Sequence, residues 1–305
     1  MKNSFGIFLL VILGICGCQS RQLYKDSRVM MGTFVEVTSP DKDSAEIIYS
    51  EISRVEKLLS KYDPESEVSR LNVSGELSVS PETFQVIQRS KEFWQLSGGA
   101  FDITVGPLMD LWGFTDKAYR LPKEDEIRAA LGLAGVDKII LNPEKNMVKL
   151  SFSGMKIDLG GAAKGYAVDC AVIKLRERGI KSCLINAGGQ IYCLGDNFGK
   201  PWKIAIREPR GGRLGEYLEL KDKAVSTSGD YEQFFIEKDK RYSHIINPLT
   251  GYPANSGIAS VTVIADDGMT ADALSTAIFI LGSEKGLELA KRFKNVEVKI
   301  TRGHP

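Results

Sequence analysis

Apolar side chains recur at helical spacing early in the chain. Ile48, Ile52, Val55, Leu59 and Tyr62 predict a helix over 43–62, stopped by Pro64. A second helix is expected over about 82–97, ending at Gly98-Gly99. Shorter ones are expected over 105–113, with Trp112 on the apolar side, and over 123–132. Val29 to Val37 alternates as a strand does. From 136 the texture turns β-rich, with runs near 138–141, 147–152, 155–159, 183–187, 191–194, 202–207, 217–220, 233–237, 243–246 and 259–265. A helix over about 162–178 interrupts them, and two more follow at about 269–281 and 284–294. Strands and helices interleave without a regular βαβ rhythm or a fixed-period repeat. The expected class is therefore α+β, a mixed sheet with packed helices in one domain that has room for two lobes.

The start of the chain follows another logic. Lys2 precedes an apolar run, Phe5 to Ile15, and then Gly17-Cys18. A basic start, an apolar stretch of about 7–15 residues and small residues at the cut describe a secretory signal. The run falls short of the about 20 residues that a membrane span needs. Ile15-Cys16-Gly17-Cys18 resembles a bacterial lipobox, a plain signal with a chance cysteine being the alternative. The expectation is a lipoprotein signal over 1–17, a palmitate-type acylated Cys18 heading a tether over 18–28, and a folded domain over 29–305. Such a protein is lipid-anchored to a bacterial membrane and faces the periplasm or the cell exterior. Cys170, Cys183 and Cys193 are then expected as buried core thiols rather than a disulfide framework.

Composition narrows the function classes. Lys plus Arg is 40 and Asp plus Glu is 39 in 305 residues, a formal charge of +1. That balance argues against nucleic-acid binding driven by bulk charge. At 43% hydrophobic and 26% charged residues, disorder as the main state is out. His244 and His304 are the only histidines and no CxxC pair occurs, which argues against a zinc site of His/Cys type.

Several segments carry candidate chemistry. Asp158-Leu159-Gly160-Gly161-Ala162-Ala163-Lys164-Gly165-Tyr166 joins the end of a β run to a helix start. Glycines there permit close backbone approach and leave amides pointing outward, and Lys164 adds a cation in the first turn. The segment reads as a cradle for a phosphate or pyrophosphate, or equally as a tight turn with a solvated lysine. Asp272 and Thr276 are four apart, so a helix places their oxygens on one face, where they suit a hard cation such as Mg²⁺. The alternative is a helix-start Asp that bonds backbone amides. In Gly98 to Pro107, Asp102 and Thr104 read as helix caps and the glycines as a ligand wall. Ser226-Thr227-Ser228-Gly229-Asp230-Tyr231 reads as a hydroxyl-rich turn that bonds phosphate or holds a bend. His244, in His244-Ile245-Ile246-Asn247-Pro248, is the one mid-chain histidine and the conventional near-neutral acid/base, a structural role being the alternative.

Taken in order, these segments resemble the ApbE family of FAD:protein FMN transferases. The likeness runs through Met31-Gly32-Thr33, Ser60-Lys61-Tyr62, Ser66 to Asn72, Gly99-Ala100-Phe101-Asp102 and Asp158 to Tyr166. It continues through Asn186-Ala187-Gly188-Gly189, Thr227-Ser228-Gly229-Asp230, His244 to Gly251, and Thr270 to Thr276 followed by Gly282. The resemblance implies Mg²⁺-dependent cleavage of FAD, release of AMP, and transfer of FMN to a Thr or Ser hydroxyl of an acceptor flavoprotein, such as a subunit of a membrane redox complex. It implies that Asp272, Thr276 and the Gly161 backbone oxygen hold the metal and that Lys164 meets the phosphates. Met31, Tyr62, Ala100, Phe101, Asp102, Asp158 and Ile246 would line the FAD site. His244 would be the base, with Asp272 sharing the catalytic role. The chain departs from the pattern at Asn247 and Gln190, where relatives commonly carry acidic residues, and at Met269, where some offer a further carboxylate. The competing expectations are a metal-dependent FAD pyrophosphatase giving FMN and AMP, and a non-catalytic FAD-binding lipoprotein.

Overall fold

The segment expected as one strand from Val29 folds as a hairpin. Strands β1 (Tyr24–Met30) and β2 (Thr33–Ser39) pair antiparallel from Tyr24↔Ser39 to Met30↔Thr33 and turn at Met31-Gly32, both at positive φ. The strand therefore reaches back to Tyr24, into the stretch read as tether. The computed structural model describes residues 22–210 and 213–303, so the signal and Cys18 lie outside the described residues.

Helix α1 (Ser44–Leu59) buries Ile48, Ile52, Val55 and Leu59 as their spacing predicts, but it ends before Tyr62, which is exposed rather than part of the buried stripe. Helix α2 (Glu67–Ser74) begins at Ser66, whose hydroxyl accepts the Ser69 amide, and ends at Gly75 in the left-handed conformation. It is too short for a periodic stripe and was not expected. Strand β3 (Glu76–Ser78) leads to α3 (Pro81–Leu96), capped by Ser80 with Pro81 in its first turn. Helices α4 (Gly106–Leu111) and α5 (Glu124–Leu131) follow, and then β4 (Ile139–Asn142) and β5 (Met147–Leu150). Strands β3, β5 and β4 form a small antiparallel sheet.

Residues 155–159 alternate as a strand should, and Met155, Ile157 and Leu159 are buried, yet they join no sheet. The Asn72 side chain takes the place of a neighbouring strand. Its Nδ2 donates to the Ile157 carbonyl at 2.9 Å and its Oδ1 accepts the Ile157 amide at 2.6 Å, while the Asp158 amide bonds the Ile103 carbonyl.

Helix α6 (Ala163–Glu177) and strands β6 (Cys183–Ala187), β7 (Gln190–Leu194), β8 (Trp202–Arg207), β9 (Leu214–Leu220) and β10 (Lys223–Gly229) follow. The chain continues with β11 (Phe234–Glu237), β12 (Lys240–Ser243), β13 (Ile258–Ala265), α7 (Gly268–Leu281), α8 (Ser283–Ala290) and β14 (Glu297–Arg302). The main sheet has seven strands in the order β1-β2-β6-β7-β10-β13-β14, each pair antiparallel. Helices α1, α6 and α7 pack together, and α7 lies on β10 and β13. The β8–β9 hairpin covers the other face through Trp202, Ile204 and Leu218 against Val225 and Ile264. Strand β13, covered on both sides, is buried along its whole length, Ser260 and Thr262 included. The β11–β12 hairpin rests on α4, with Phe235 stacked on Tyr242 and Tyr242 on Trp112. The α+β class and single domain hold.

Cys183 and Cys193 are buried and Cys170 is half-buried, all three unpaired, and burial pushes their thiols up to about 12, 12 and 11.

Candidate active site

A cleft of about 1360 Å³ opens between the end of the main sheet, the start of α6, one flank of α7 and the β11–β12 arm. That exceeds the ~300–1,000 Å³ of a drug-sized ligand site and suits a dinucleotide. Met31, Tyr62, Ala100, Phe101, Asp102, Asp158, Gly161, Lys164, His244, Ile246, Asp272 and Thr276 all line it. The fold thus brings together residues from position 31 to position 276 of the sequence.

Asp272 sits at the deep end, 4% exposed, in the second turn of α7. The helix-start role belongs to Asp267, whose side chain accepts the Thr270 amide. Asp272 still bonds a helix-start amide, but that of α6. Its Oδ2 accepts the Gly165 N–H at 3.1 Å, and its Oδ1 accepts the Ser226 hydroxyl at 3.3 Å. The carboxylate thereby satisfies one of the free amides at the α6 N-terminus. Lys164 Nζ lies 4.0 Å from Asp272 and 3.0 Å from the Gly160 carbonyl, and is half-buried, with its charge toward the cleft. Thr276, half-buried, has its Oγ1 3.3 Å from Ser228 Oγ, and the Gly161 backbone runs directly beside it.

Ser226, Thr227 and Ser228 belong to β10 rather than to the expected turn, and all three line the cleft. Asp102 and Thr104 do not cap α4, whose first turn has no side-chain cap. Asp102 instead accepts the Thr104 amide and hydroxyl and the Val136 amide, tying two loops into the cleft wall. Burial raises its pKa despite those bonds. Asp158 pairs with Lys61 at 2.8 Å and accepts the Gly160 amide, fixing the glycine turn before α6. Burial works to lower the Lys61 ammonium, but Asp158 outweighs it and the net shift is upward. Tyr62 stands 66% exposed at the mouth, with the Lys61 ammonium 5.0 Å from its ring centroid.

His244 follows β12, with Nδ1 3.1 Å from the Gln233 carbonyl. A carbonyl only accepts, so Nδ1 carries the proton and Nε2 keeps its lone pair. Burial pushes the imidazole down to about 4; Lys164 adds to this, while the Gln233 bond and Asp158 oppose it. The ring is neutral at pH 7.

The family model for ApbE matches residues 31–300. The chain belongs to the ApbE family. A relative from Haemophilus influenzae, the FAD:protein FMN transferase, is 34% identical over 307 residues, covering 94% of this chain and 89% of its own. Among solved structures, the ApbE protein of Thermotoga maritima superposes with a TM-score of 0.85 at 37% identity, over 92% of this chain and 94% of that one. The flavin transferase ApbE of Vibrio cholerae gives 0.81 at 32% identity, over 92% and 93%.

Three charged residues of this ApbE cleft are not singled out by the sequence reading, Lys117 after α4, Arg207 on β8 and Glu232 after β10. Glu232 is exposed at the cleft wall. Crowding by the protein around it pushes its carboxyl up to about 7; repulsion from Asp272 adds to it, against the pull of Lys164 and Arg207. A glutamate in a polar turn looks the same in sequence whether it faces solvent or a site.

Proposed function

We propose that the chain transfers FMN from FAD to a threonine or serine hydroxyl of an acceptor protein, releasing AMP with the help of Mg²⁺. It is a transferase of the ApbE family, and a relative bears the name FAD:protein FMN transferase. The observation that carries the reading is the convergence of Lys164, Asp272, Thr276 and His244 in one dinucleotide-sized cleft.

The donors around Asp272 fit a hard dication. They are a carboxylate and hydroxyls, with the Gly161 backbone alongside and no thiol near. Asp272, Thr276 and the Gly161 carbonyl would hold the ion. Bound there, Mg²⁺ would neutralise charge on the pyrophosphate and on the leaving phosphate of AMP. The chain supplies the rest. Lys164 and the α6 N-terminus attract the phosphates. Tyr62 and the Met31 turn contact the flavin nucleotide at the mouth. His244 Nε2 takes the proton of the incoming hydroxyl, whose oxygen attacks the phosphorus on the FMN side. The bond from that phosphorus to the bridging oxygen breaks, and AMP leaves with its electron pair. Phosphoryl chemistry of this kind relies on positioning and charge more than on covalent help.

The test is the intact mass of a candidate acceptor domain after incubation with the chain, FAD and Mg²⁺. An added FMN mass that vanishes with EDTA is expected. Free FMN and AMP formed equally fast without acceptor would make the chain a pyrophosphatase, and intact FAD throughout would make it a binding protein. The lipobox-like start supports an acceptor outside the cytoplasm, such as a subunit of a membrane redox complex. Mass analysis of membrane-extracted protein should show acyl chains on Cys18, and an unmodified Cys18 would reject the anchor.

His244→Ala should lower kcat by about 10²–10⁴-fold, the usual worth of a general base, with FAD affinity kept. A depressed pKa keeps the imidazole neutral, and therefore basic, as pH falls below the ordinary value of 6.5. The acid limb of kcat/KM should thus lie well below pH 6.5. A limb at or above 6.5 that survives in the alanine variant would remove His244 from the role.

A further inference from the structure

Helices α6 and α7 share a spacing near their starts, a glycine with an aspartate four places on: Gly165 with Asp169, and Gly268 with Asp272. The fold uses the two copies reciprocally. Asp272 of α7 accepts the Gly165 amide of α6 at 3.1 Å. Asp169 of α6 accepts two amides of α7, Gly268 on Oδ1 at 2.6 Å and Met269 on Oδ2 at 3.0 Å. The glycines meet backbone to backbone. A Cβ on Gly165 would stand 2.2 Å from the Gly268 carbonyl oxygen, and one on Gly268 would stand 2.5 Å from the Gly165 carbonyl oxygen. That contact keeps the helix starts from moving closer, and the crossed carboxylate bonds keep them from moving apart.

The two aspartates differ in what they leave free. Asp272 lines the cleft, with Oδ1 held only by the Ser226 hydroxyl at 3.3 Å. Asp169 is not a cleft residue; it is half-buried, with both oxygens on backbone amides. The proposed ligands of the ion come from both sides of this junction, Gly161 just before α6 and Asp272 and Thr276 on α7. The register of α6 against α7 therefore sets the size of the ion site. An ion on Asp272 competes with the Gly165 amide for the same carboxylate, so that crossed bond slackens when the site fills. The Asp169 bonds share no atom with the site and hold the register in either state. The ordinary cap of α7, Asp267, cannot do this. It accepts the Thr270 amide of its own helix and pairs with Arg89 of α3, so it fixes no distance to α6.

We propose that Asp169 is a positioning residue for FMN transfer: gripping the first amides of α7 from α6, it holds Asp272 and Thr276 at the distance from Gly161 that the divalent ion needs. The inference rests on the metal reading above and extends it to a residue outside both the ligand set and the cleft.

Mn²⁺ serves as the probe, titrated into the full chain well below its melting temperature and followed by the electron paramagnetic resonance of the free ion. Asp169→Asn keeps one acceptor oxygen and turns an Nδ2 donor on the second amide. It should weaken Mn²⁺ binding about tenfold, the low end for residues that orient a metal ligand, and slow FMN transfer by a similar factor. Asp267→Ala is the control. It removes a cap from the same helix and should lower the melting temperature by a few degrees, as Asp169→Asn does, yet leave Mn²⁺ affinity within about twofold. Added to Asp272→Asn, Asp169→Asn should cost little further transfer, because it acts through that carboxylate. Asp169→Glu keeps both acceptors on a longer arm; it should show a smaller loss, and it carries the comparison if the asparagine variant does not fold. Mn²⁺ affinity at the wild-type level in the folded Asp169 variants, with Asp272→Asn clearly impaired, overturns the Asp169 role and leaves the metal reading standing. An equal loss of Mn²⁺ in Asp267→Ala does the same, as does a double variant whose transfer loss is the product of the two single losses. A wild type that binds no Mn²⁺, or an Asp272→Asn variant that binds it as well as the wild type does, overturns both.

Discussion

Asp272→Asn should cut FMN transfer by about 10²–10³-fold while the protein still folds. A bound dication supplies several kcal/mol of charge stabilisation in the transition state, and each ~1.4 kcal/mol is tenfold in rate. Asp272 is the one carboxylate of the proposed ligand set, the others being a hydroxyl and a carbonyl, so removing its charge removes most of the attraction for the ion. The substitution is gentle on the fold. An asparagine can keep its Oδ1 on the Gly165 amide and turn its Nδ2 to the Ser226 hydroxyl, replacing both bonds of the carboxylate. Lys164 loses a neighbour at 4.0 Å, a half-buried contact of small worth for stability. The check is the rate of FMN addition to the acceptor, beside a thermal melt. Transfer within tenfold of wild type, in a protein that melts normally, would move the metal off Asp272.

Much of this site could be read along the chain because its carriers sit on elements with clear patterns. The apolar texture around Asp272 announced α7, and the glycines before Lys164 announced the turn into α6. What escaped has physical reasons. Ser226-Thr227-Ser228-Gly229 lacks the apolar alternation of a strand because this central strand turns its hydroxyls to the cleft and to α7. Function removed the pattern by which β10 would have been recognised. The reverse error occurred at Met155, Ile157 and Leu159, where burial alternates as in a sheet but the bonds go to the Asn72 side chain. Periodicity reports which side chains are buried, not which groups take the backbone bonds. Strand β14, at the sheet edge, is absent from the expected runs because its alternation holds only two apolar residues, Val298 and Ile300.

Gly165→Ala should cost the fold about 1–3 kcal/mol, the usual price of overpacking a close contact. A Cβ at 165 would stand 2.2 Å from the Gly268 carbonyl oxygen and 2.4 Å from its carbon. Both are backbone atoms of α7, so no side chain can swing away to make room. The two helices must move apart where α6 begins. That motion has a second consequence, because the Gly165 amide is the donor to Asp272 Oδ2. It also draws Gly161, just before α6, away from Thr276 on α7. The helix contact and the proposed ion site are therefore one geometry, and a single methyl should damage both. A fall of several degrees in melting temperature is expected, together with weaker Mn²⁺ binding measured well below the melt, where the chain is folded. A lower melting temperature with Mn²⁺ affinity intact would separate packing from the site. An unchanged melting temperature would show that α6 and α7 do not approach as closely as the glycine implies.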